Sequence, residues 1–272
     1  MDLEAKEREL ARLLETMSPV VVAFSGGVDS SYLAYKAHRV LGARALAVTA
    51  DSPSVPGAQG RMALRVAREF GFAHEVIRTE EVERPEYRDN PPNRCYFCKD
   101  ELYTKLRALA EERGFRTVVD GLNADDLADF RPGRKAAAEQ GVRSPLVEAG
   151  LAKSEIRELS RRAGLPTADQ PASACLASRF PYGTAITVEK LATVDRGEEA
   201  LREIGFRVFR VRHHGDIVRL EFGAEDLPRA LDPEMARRLT AVFKGLGFRY
   251  VTLDLEGYRT GSLNEVLVSQ VK

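Results

Sequence analysis

The first 170 residues alternate short apolar runs with longer stretches of helical periodicity. The runs VVVAF, ARALAVTA, HEVIRT and TVVDG begin at positions 20, 43, 74 and 117, and helical patterns cover residues 30–41, 57–70, 97–113 and 153–163. Runs that are apolar throughout are typical of strands that are buried on both faces. The pattern therefore predicts an α/β, Rossmann-like domain over residues 1–170, with a five-stranded parallel sheet covered by helices.

A stretch without periodicity, TADQPASACLASRFPYG, runs from Thr167 to Gly183. We interpret it as a loop at a domain boundary, and long loops in compact chains are often functional. The pattern after it predicts the order βαββαβ, with a short strand near Ala185 and two strands joined by a turn at residues 214–216. We expect residues 171–272 to form a smaller C-terminal α/β sandwich domain.

The charge balance narrows the classes of partner. Lys and Arg number 41, as do Asp and Glu, among 272 residues, so the formal net charge is zero. A balanced chain lacks the basic surface that nucleic-acid binding usually requires, and it has no apolar run long enough to span a bilayer. We expect a cytoplasmic protein that binds neither nucleic acid nor membrane.

The string AFSGGVDSS, residues 23–31, follows the first predicted strand and opens the next helix. Gly26 and Gly27 permit a tight turn whose amide groups face an anion, Ser25 and Ser30 add hydroxyl donors, and Asp29 is suited to Mg²⁺. The alternative is an ordinary capped turn. The Lys of a G-x-x-x-x-G-K-[ST] motif is missing from this string, which disfavours kinase chemistry and favours pyrophosphate as the leaving group.

This string resembles the phosphate loop of the PP-loop ATP pyrophosphatases, which activate substrates as adenylates. The resemblance implies ATP as a substrate and makes Ser52 and Gly121 candidate adenosine contacts.

Further strings resemble the LarE family of ATP-dependent sulfur transferases: NRCYFCKDELY, DGLNADDLADFRPG, RSPL, ACLASRFPYG and VRHHGDIVRLE. The resemblance implies adenylation of the carboxylate of a pyridinium-3,5-biscarboxylic acid mononucleotide and its conversion to a thiocarboxylate, in nickel-pincer nucleotide cofactor biosynthesis. It also suggests a homo-oligomer, a hexamer by the family pattern. The alternative within the superfamily is a tRNA thiolase.

The chain has three cysteines, Cys95, Cys98 and Cys175. Cys175 matches the family's sulfur-bearing cysteine, which is sacrificed to dehydroalanine in the simplest members, and Arg179 is expected to favour its thiolate. The other two are additional to that pattern. Three thiolates suit a 4Fe-4S cluster with one iron open to an exogenous sulfide, whose source the sequence does not identify. A redox pair, a zinc site and inert thiols are the alternatives.

Charged residues elsewhere complete the predicted site. Arg210 and Arg212 point to one side of a strand, and together with Arg179 they match residues that the family uses for the substrate phosphate. Asp126 and Glu198 are candidate Mg²⁺ ligands beside Asp29. A solvated strand face and helix-capping acids are the alternatives.

Overall fold

The computed structural model describes residues 2–128, 132–171, 173–259 and 261–262. The chain divides into two compact units, unit 1 with Met1–Tyr87 and Pro92–Ser173 and unit 2 with Arg88–Pro91 and Ala174–Lys272. Some parts of the sequence predictions lie outside the described residues: position 1 of the predicted first domain, positions 129–131 of the string DGLNADDLADFRPG, position 172 of the predicted boundary loop, and positions 260 and 263–272 of the predicted second domain.

Unit 1 alternates strands and helices as the sequence predicts. Its strands are β1 (Val20–Ala23), β2 (Ala45–Asp51), β3 (His74–Arg78) and β4 (Thr117–Val119). Its helices are α1 (Leu3–Met17), α2 (Val28–Leu41), α3 (Gly57–Phe70), α5 (Arg94–Arg113), α6 (Gly133–Glu139), α7 (Pro145–Glu148) and α8 (Lys153–Arg162), and α4 (Pro85–Arg88) lies at the passage to residues 88–91. Short 3-10 helices cover Gly42–Arg44, Glu81–Glu83 and Ala124–Ala128.

The sheet of unit 1 is parallel, in the order β3-β2-β1-β4. Its described residues form four strands, so the prediction of a fifth strand is wrong for this part of the chain. After β4, an isolated parallel bridge joins Val119 to Arg143 without extending into a strand. The chain enters α7 two residues later at Pro145, which has no N–H group for a ladder.

Alternate residues of the strands serve two hydrophobic cores, one on each face of this sheet. Val20 and Val22 pack with the apolar sides of α1, α2, α3 and α8, whereas Val21 packs with α5 and α6. This burial on both faces explains the continuous apolar run of β1, whereas the edge strand β3 is partly exposed and carries charged residues. Because all four strands run the same way, their carboxyl ends share one edge of the sheet.

Unit 2 carries a three-stranded sheet in the order β5-β6-β7, from β5 (Phe209–His214), β6 (Ile217–Phe222) and β7 (Tyr250–Leu253). Its helices are α9 (Val188–Ile204), α10 (Leu227–Leu231) and α11 (Pro233–Gly245), with a 3-10 helix at Leu176–Arg179. The strands β5 and β6 pair antiparallel across the turn at Gly215, where φ is +66°, and β6 pairs parallel to β7.

The short strand that the sequence predicts near Ala185 is wrong. The Thr184 amide closes a turn onto the Pro181 carbonyl at 3.0 Å, and Thr187 then caps α9 by accepting from the Lys190 amide. Turn and cap take up the residues that a strand would need. No helix in the described part of the chain is both long and apolar enough to cross a membrane.

Candidate active site

The loop between β1 and α2 is shaped by a close approach to α3. At Gly26 φ is +74°, and a Cβ there would lie 2.7 Å from the Gln59 carbonyl oxygen and 2.8 Å from the Ala63 amide nitrogen. Neither backbone atom can move aside cheaply, so only glycine fits both the conformation and the space. The second glycine, Gly27, is the N-cap of α2 and offers no side-chain acceptor to the first turn.

Two serine hydroxyls fix the loop internally. The Ser30 hydroxyl accepts from the Ser25 amide at 3.2 Å, lies 3.0 Å from the Ser25 hydroxyl and donates to the Gly27 carbonyl at 3.2 Å. The first amide groups of α2 therefore stand behind a loop of fixed shape. This is the arrangement in which helix N-termini bind phosphate groups.

Asp29, in the first turn of α2, has two carboxylate oxygens with different surroundings. Oδ2 lies 2.5 Å from the Lys153 ammonium, whereas Oδ1 is buried without a hydrogen-bond partner among the described residues. Burial raises the pKa of Asp29 and the charge of Asp126 adds to this, while Lys153 opposes it. A buried carboxylate oxygen without a donor, beside a second acid, fits a divalent cation.

Lys153 is a residue that sequence reasoning missed as a contact of this loop. It begins α8, where a positive charge opposes the helix dipole, and its amide donates to Asp125 at 2.8 Å. Asp126, a predicted Mg²⁺ candidate, accepts from the Asn123 amide at 3.1 Å. The segments after β4 and before α8 thus bring one cation and two acids to the phosphate loop.

The two predicted adenosine candidates have different settings. A Cβ on Gly121 would lie 2.9 Å from the amide nitrogen and 3.0 Å from the Cα of Ser30, so the end of β4 packs directly on the first turn of α2. Ser52 is buried after β2, where its hydroxyl donates to the carboxylate of Glu81. Glu81 was not singled out from the sequence, since no local pattern connects it to Ser52.

The C-x-x-C cysteines lie within the first five residues of α5. Cys95 and Cys98 are half-buried thiols three residues apart, a spacing that puts two side chains on one helix face. The third thiol, Cys175, is half-buried in unit 2. Among the residues that the structure describes, no group of three or more Cys, His, Asp and Glu side chains is gathered to hold a metal ion.

The backbone around Cys175 is held by Arg179. The guanidinium of Arg179 is 1% exposed, donates to the carbonyls of Ala174 and Cys175 at 3.0 and 3.1 Å, and pairs with Glu198 at 2.8 and 3.1 Å. The Ser178 hydroxyl also donates to the Cys175 carbonyl, at 2.8 Å. These contacts fix the loop from both sides of the thiol.

Glu198 is buried on α9. Burial opposes its ionisation, but the positive charges of Arg179, Arg210 and Arg202 outweigh this and lower the pKa of Glu198. The structure therefore places this predicted Mg²⁺ candidate as the counter-charge of Arg179.

The arginines of β5 differ in their partners. Arg212 forms a two-pronged pair with Glu221 at 2.8 and 2.9 Å and donates to the Ser178 carbonyl at 2.7 Å. Arg210 lies over the ring of Tyr258, 4.7 Å from its centroid. Burial, together with the neighbouring charge of Arg179, lowers the pKa of Arg210. An anion bound between Arg210 and Arg179 would relieve that repulsion.

Comparison with known proteins identifies the family of this chain. A sequence model of the family described as asparagine synthase matches residues 6–219. An uncharacterized protein of Synechocystis sp. is 46% identical over 97% of this chain and 99% of its own length. The pyridinium-3,5-bisthiocarboxylic acid mononucleotide synthase of Lactiplantibacillus plantarum is 37% identical over 97% of this chain and 96% of its own length.

A more distant match is confined to part of the chain. The tRNA-specific 2-thiouridylase MnmA of Rickettsia africae is 29% identical over 60% of this chain and 55% of its own length. The family match over most of the chain and the full-length match at 37% identity together show that this chain belongs to the LarE family, within the PP-loop superfamily of ATP-using enzymes.

Proposed function

We propose that this protein is an ATP-dependent sulfur transferase that adenylates the carboxylates of a pyridinium-3,5-biscarboxylic acid mononucleotide and converts them to thiocarboxylates, in nickel-pincer nucleotide cofactor biosynthesis. The observation that carries the proposal is the match, over nearly the whole of both chains, to a relative that is named as the synthase of the bisthiocarboxylic acid mononucleotide. The fixed phosphate loop of unit 1 and the supported Cys175 loop of unit 2 supply groups for its two half-reactions.

The first half-reaction prepares a leaving group, since a carboxylate oxygen is not displaced directly. A carboxylate oxygen of the substrate attacks the α-phosphorus of ATP, and pyrophosphate leaves. The loop amides, Ser25 and Ser30 would hold the leaving pyrophosphate at the start of α2. Asp29 would hold Mg²⁺ with Asp126 nearby, and the ion would neutralise phosphate charge.

The second half-reaction transfers sulfur. The Cys175 thiolate attacks the acyl carbon and AMP leaves, which gives a thioester between the protein and the substrate. Loss of the Cα proton of Cys175 with cleavage of its Cβ–Sγ bond then leaves the thiocarboxylate on the substrate and dehydroalanine in the chain. We propose that Arg179 positions Cys175 by holding its carbonyl, and that Arg210, with Arg179 and Arg212, receives the substrate phosphate.

The two half-reactions separate experimentally. Under this proposal, Cys175→Ala still releases pyrophosphate and consumes ATP when the mononucleotide is present, because adenylation does not use the thiol, but it forms no thiocarboxylate. Asp29→Asn, in contrast, loses both. Pyrophosphate release that disappears in Cys175→Ala would contradict this division of roles.

Cys95 and Cys98 raise the question of repeated turnover, since one sacrificed cysteine supplies one sulfur while the substrate has two carboxylates. We propose, as the route for repeated turnover in place of the sacrificial one, that the three cysteines would hold a 4Fe-4S cluster, which would supply an exogenous sulfide to the adenylate and leave Cys175 intact. Support comes from the shared helix face of Cys95 and Cys98 and from thiolate chemistry, whereas the third thiol lies in unit 2 and the described residues contain no gathered ligand set.

Iron and acid-labile sulfide in anaerobically prepared protein test the cluster proposal, with Cys95→Ser as the variant that should lose both. Stoichiometric zinc in their place would contradict it. The cytoplasmic localisation and the homo-oligomeric state remain predictions from the sequence.

A tRNA thiolase is the second candidate. It is supported by the MnmA match, but that match covers 60% of this chain, whereas the synthase match covers 97%. Transfer of sulfur to tRNA in place of the mononucleotide would favour this alternative.

A further inference from the structure

Glu81 is a buried carboxylate at the edge of the sheet where the phosphate loop lies. It follows β3 and is 1% exposed. Its Oε1 accepts from the hydroxyls of Ser52 and Ser54, the latter at 2.5 Å. Buried carboxylates in proteins are usually held by Lys or Arg. Here two serine hydroxyls from the turn after β2 are the observed donors, and an acid in this position needs an explanation beyond packing.

The hydrogen bonds to Glu81 fix the turn at residues 52–55. The Ser52 and Ser54 hydroxyls lie 2.8 Å apart, and the Ser52 hydroxyl also accepts from the Ser54 amide at 3.0 Å. The turn is closed by the Val55 amide, which donates to the Ser52 carbonyl at 3.0 Å. Each hydroxyl has one proton and lies within hydrogen-bond distance of both Glu81 and the other hydroxyl, so both hydroxyls are engaged within this cluster.

The position of this turn connects it to the nucleotide. Because β1 and β2 are parallel neighbours, the turn after β2 lies at the same sheet edge as the phosphate loop after β1. The Thr79 amide donates to the Asp51 carbonyl at 3.0 Å and ties the segment that bears Glu81 to the end of β2. A ligand whose phosphates occupy the loop would extend its nucleoside along this edge.

We propose that Glu81 is a positioning residue for the nucleoside end of ATP, which it serves by locking the turn at residues 52–55 through the hydroxyls of Ser52 and Ser54. This inference rests on the ATP use that is part of the proposed function. Ser52 then contributes through the shape of the turn, and its hydroxyl acts on Glu81. The phosphates are held separately, by the loop before α2.

The test compares ligands that share different parts of ATP. In Glu81→Ala the turn has lost the hydrogen bonds that hold it and must be ordered when the ligand binds. The conformational entropy cost is that of fixing about one residue, so the Kd for ATP and the Kd for AMP should each rise about tenfold. Kd for inorganic pyrophosphate should stay as in the wild type, because the loop that holds it is intact. Calorimetric titration of the full chain with each of the three ligands gives the values.

Two further variants distinguish positioning from simple loss of stability. Glu81→Gln keeps an oxygen that accepts both hydroxyl protons, and it should bind ATP with nearly the wild-type Kd. Glu7→Ala is the matched control, because Glu7 on α1 also accepts two side-chain bonds, from Tyr32 and Lys36 at 3.0 and 2.7 Å. It should lower the Tm and leave ATP binding unchanged.

The outcomes are separable. Unchanged ATP and AMP binding in Glu81→Ala would overturn the proposal, as would an equal loss of pyrophosphate binding. If Glu81→Ala does not fold, the double variant Ser52→Ala, Ser54→Ala removes the same two bonds and must weaken ATP binding in the same selective way. A wild-type protein that binds no ATP would instead refute the proposed function itself.

Discussion

The contact between Asp29 and Lys153 joins the phosphate loop to the start of α8, and its removal tests the charge balance around Asp29 directly. In Lys153→Met, the Asp29 carboxylate loses the ammonium that lies 2.5 Å from Oδ2, while Oδ1 already lacks a donor among the described residues. Hydrogen bonds to charged groups contribute roughly 1.5–3 kcal/mol. Since the Lys153 side chain is 31% exposed, we expect Lys153→Met to lower the free energy of unfolding at neutral pH by about 1.5 kcal/mol, the low end of that range.

The pH dependence of this loss has a definite sign. Burial raises the pKa of Asp29 in the folded protein, so the folded state holds this proton more tightly than the unfolded state, and ionisation of Asp29 reduces stability as the pH rises. Lys153 offsets part of that reduction. The difference in the free energy of unfolding between wild type and Lys153→Met should therefore be largest at neutral pH. It should decrease as the pH falls through the folded-state pKa of Asp29.

Denaturant unfolding of four proteins measures this coupling: wild type, Lys153→Met, Asp29→Asn and the double variant. Lys36→Met is the control. It removes a similar ion pair, since the Lys36 ammonium lies 2.7 Å from the Glu7 carboxylate, but there the Tyr32 hydroxyl remains as a second donor to the carboxylate. The reasoning is refuted if Lys153→Met costs the same free energy with Asp29 as with Asn at position 29.

Two further predictions concern the supports of the site. In Gly121→Ala the added Cβ would meet the Ser30 backbone at 2.9 and 3.0 Å and displace the first turn of α2, so Kd for ATP in calorimetry should rise at least about tenfold. Gly60→Ala, with open space around its Cβ, is the control and should bind ATP normally. In Glu198→Ala the buried Arg179 loses its counter-charge, which should cost about 3 kcal/mol of stability. Because the charges around Glu198 lower its pKa against the effect of burial, its contribution is present at neutral pH and is lost as the pH falls through the lowered, folded-state pKa. The wild type should therefore lose more stability on acidification than Glu198→Gln, and equal losses in denaturant titrations would contradict this.

The sequence predicts much of unit 1 because its signals are local. The residues Gly57 and Phe70 bound α3 as predicted, and the glycines of the phosphate loop occupy the turn that their type requires. The helix that contains the C-x-x-C pair begins at Arg94, earlier than the predicted start near Phe97, and the side chain of its N-cap residue Asn93 makes no capping hydrogen bond. Helix ends depend on single hydrogen bonds and are therefore the least certain part of a pattern.

The contacts that the sequence did not predict join distant segments. Lys153 reaches Asp29 across 124 positions, and Ser52 reaches Glu81 across 29. No periodicity encodes such pairs, because they arise from the packing of strand ends at one edge of the sheet. The roles of Arg179 and Arg212 needed the structure for the same reason, since each forms a two-pronged pair with a buried glutamate that is distant in sequence or on another strand.

The central claim is that the sulfur of Cys175 reaches an adenylated carboxylate. Mass spectrometry of the protein and of the small molecule, after anaerobic incubation with Mg²⁺, ATP and the pyridinium-3,5-biscarboxylic acid mononucleotide, tests it directly. In protein without added iron or sulfide, the account predicts that sulfur replaces an oxygen in the product while Cys175 loses the elements of hydrogen sulfide. A product that gains sulfur equally well with Cys175→Ala would contradict the account.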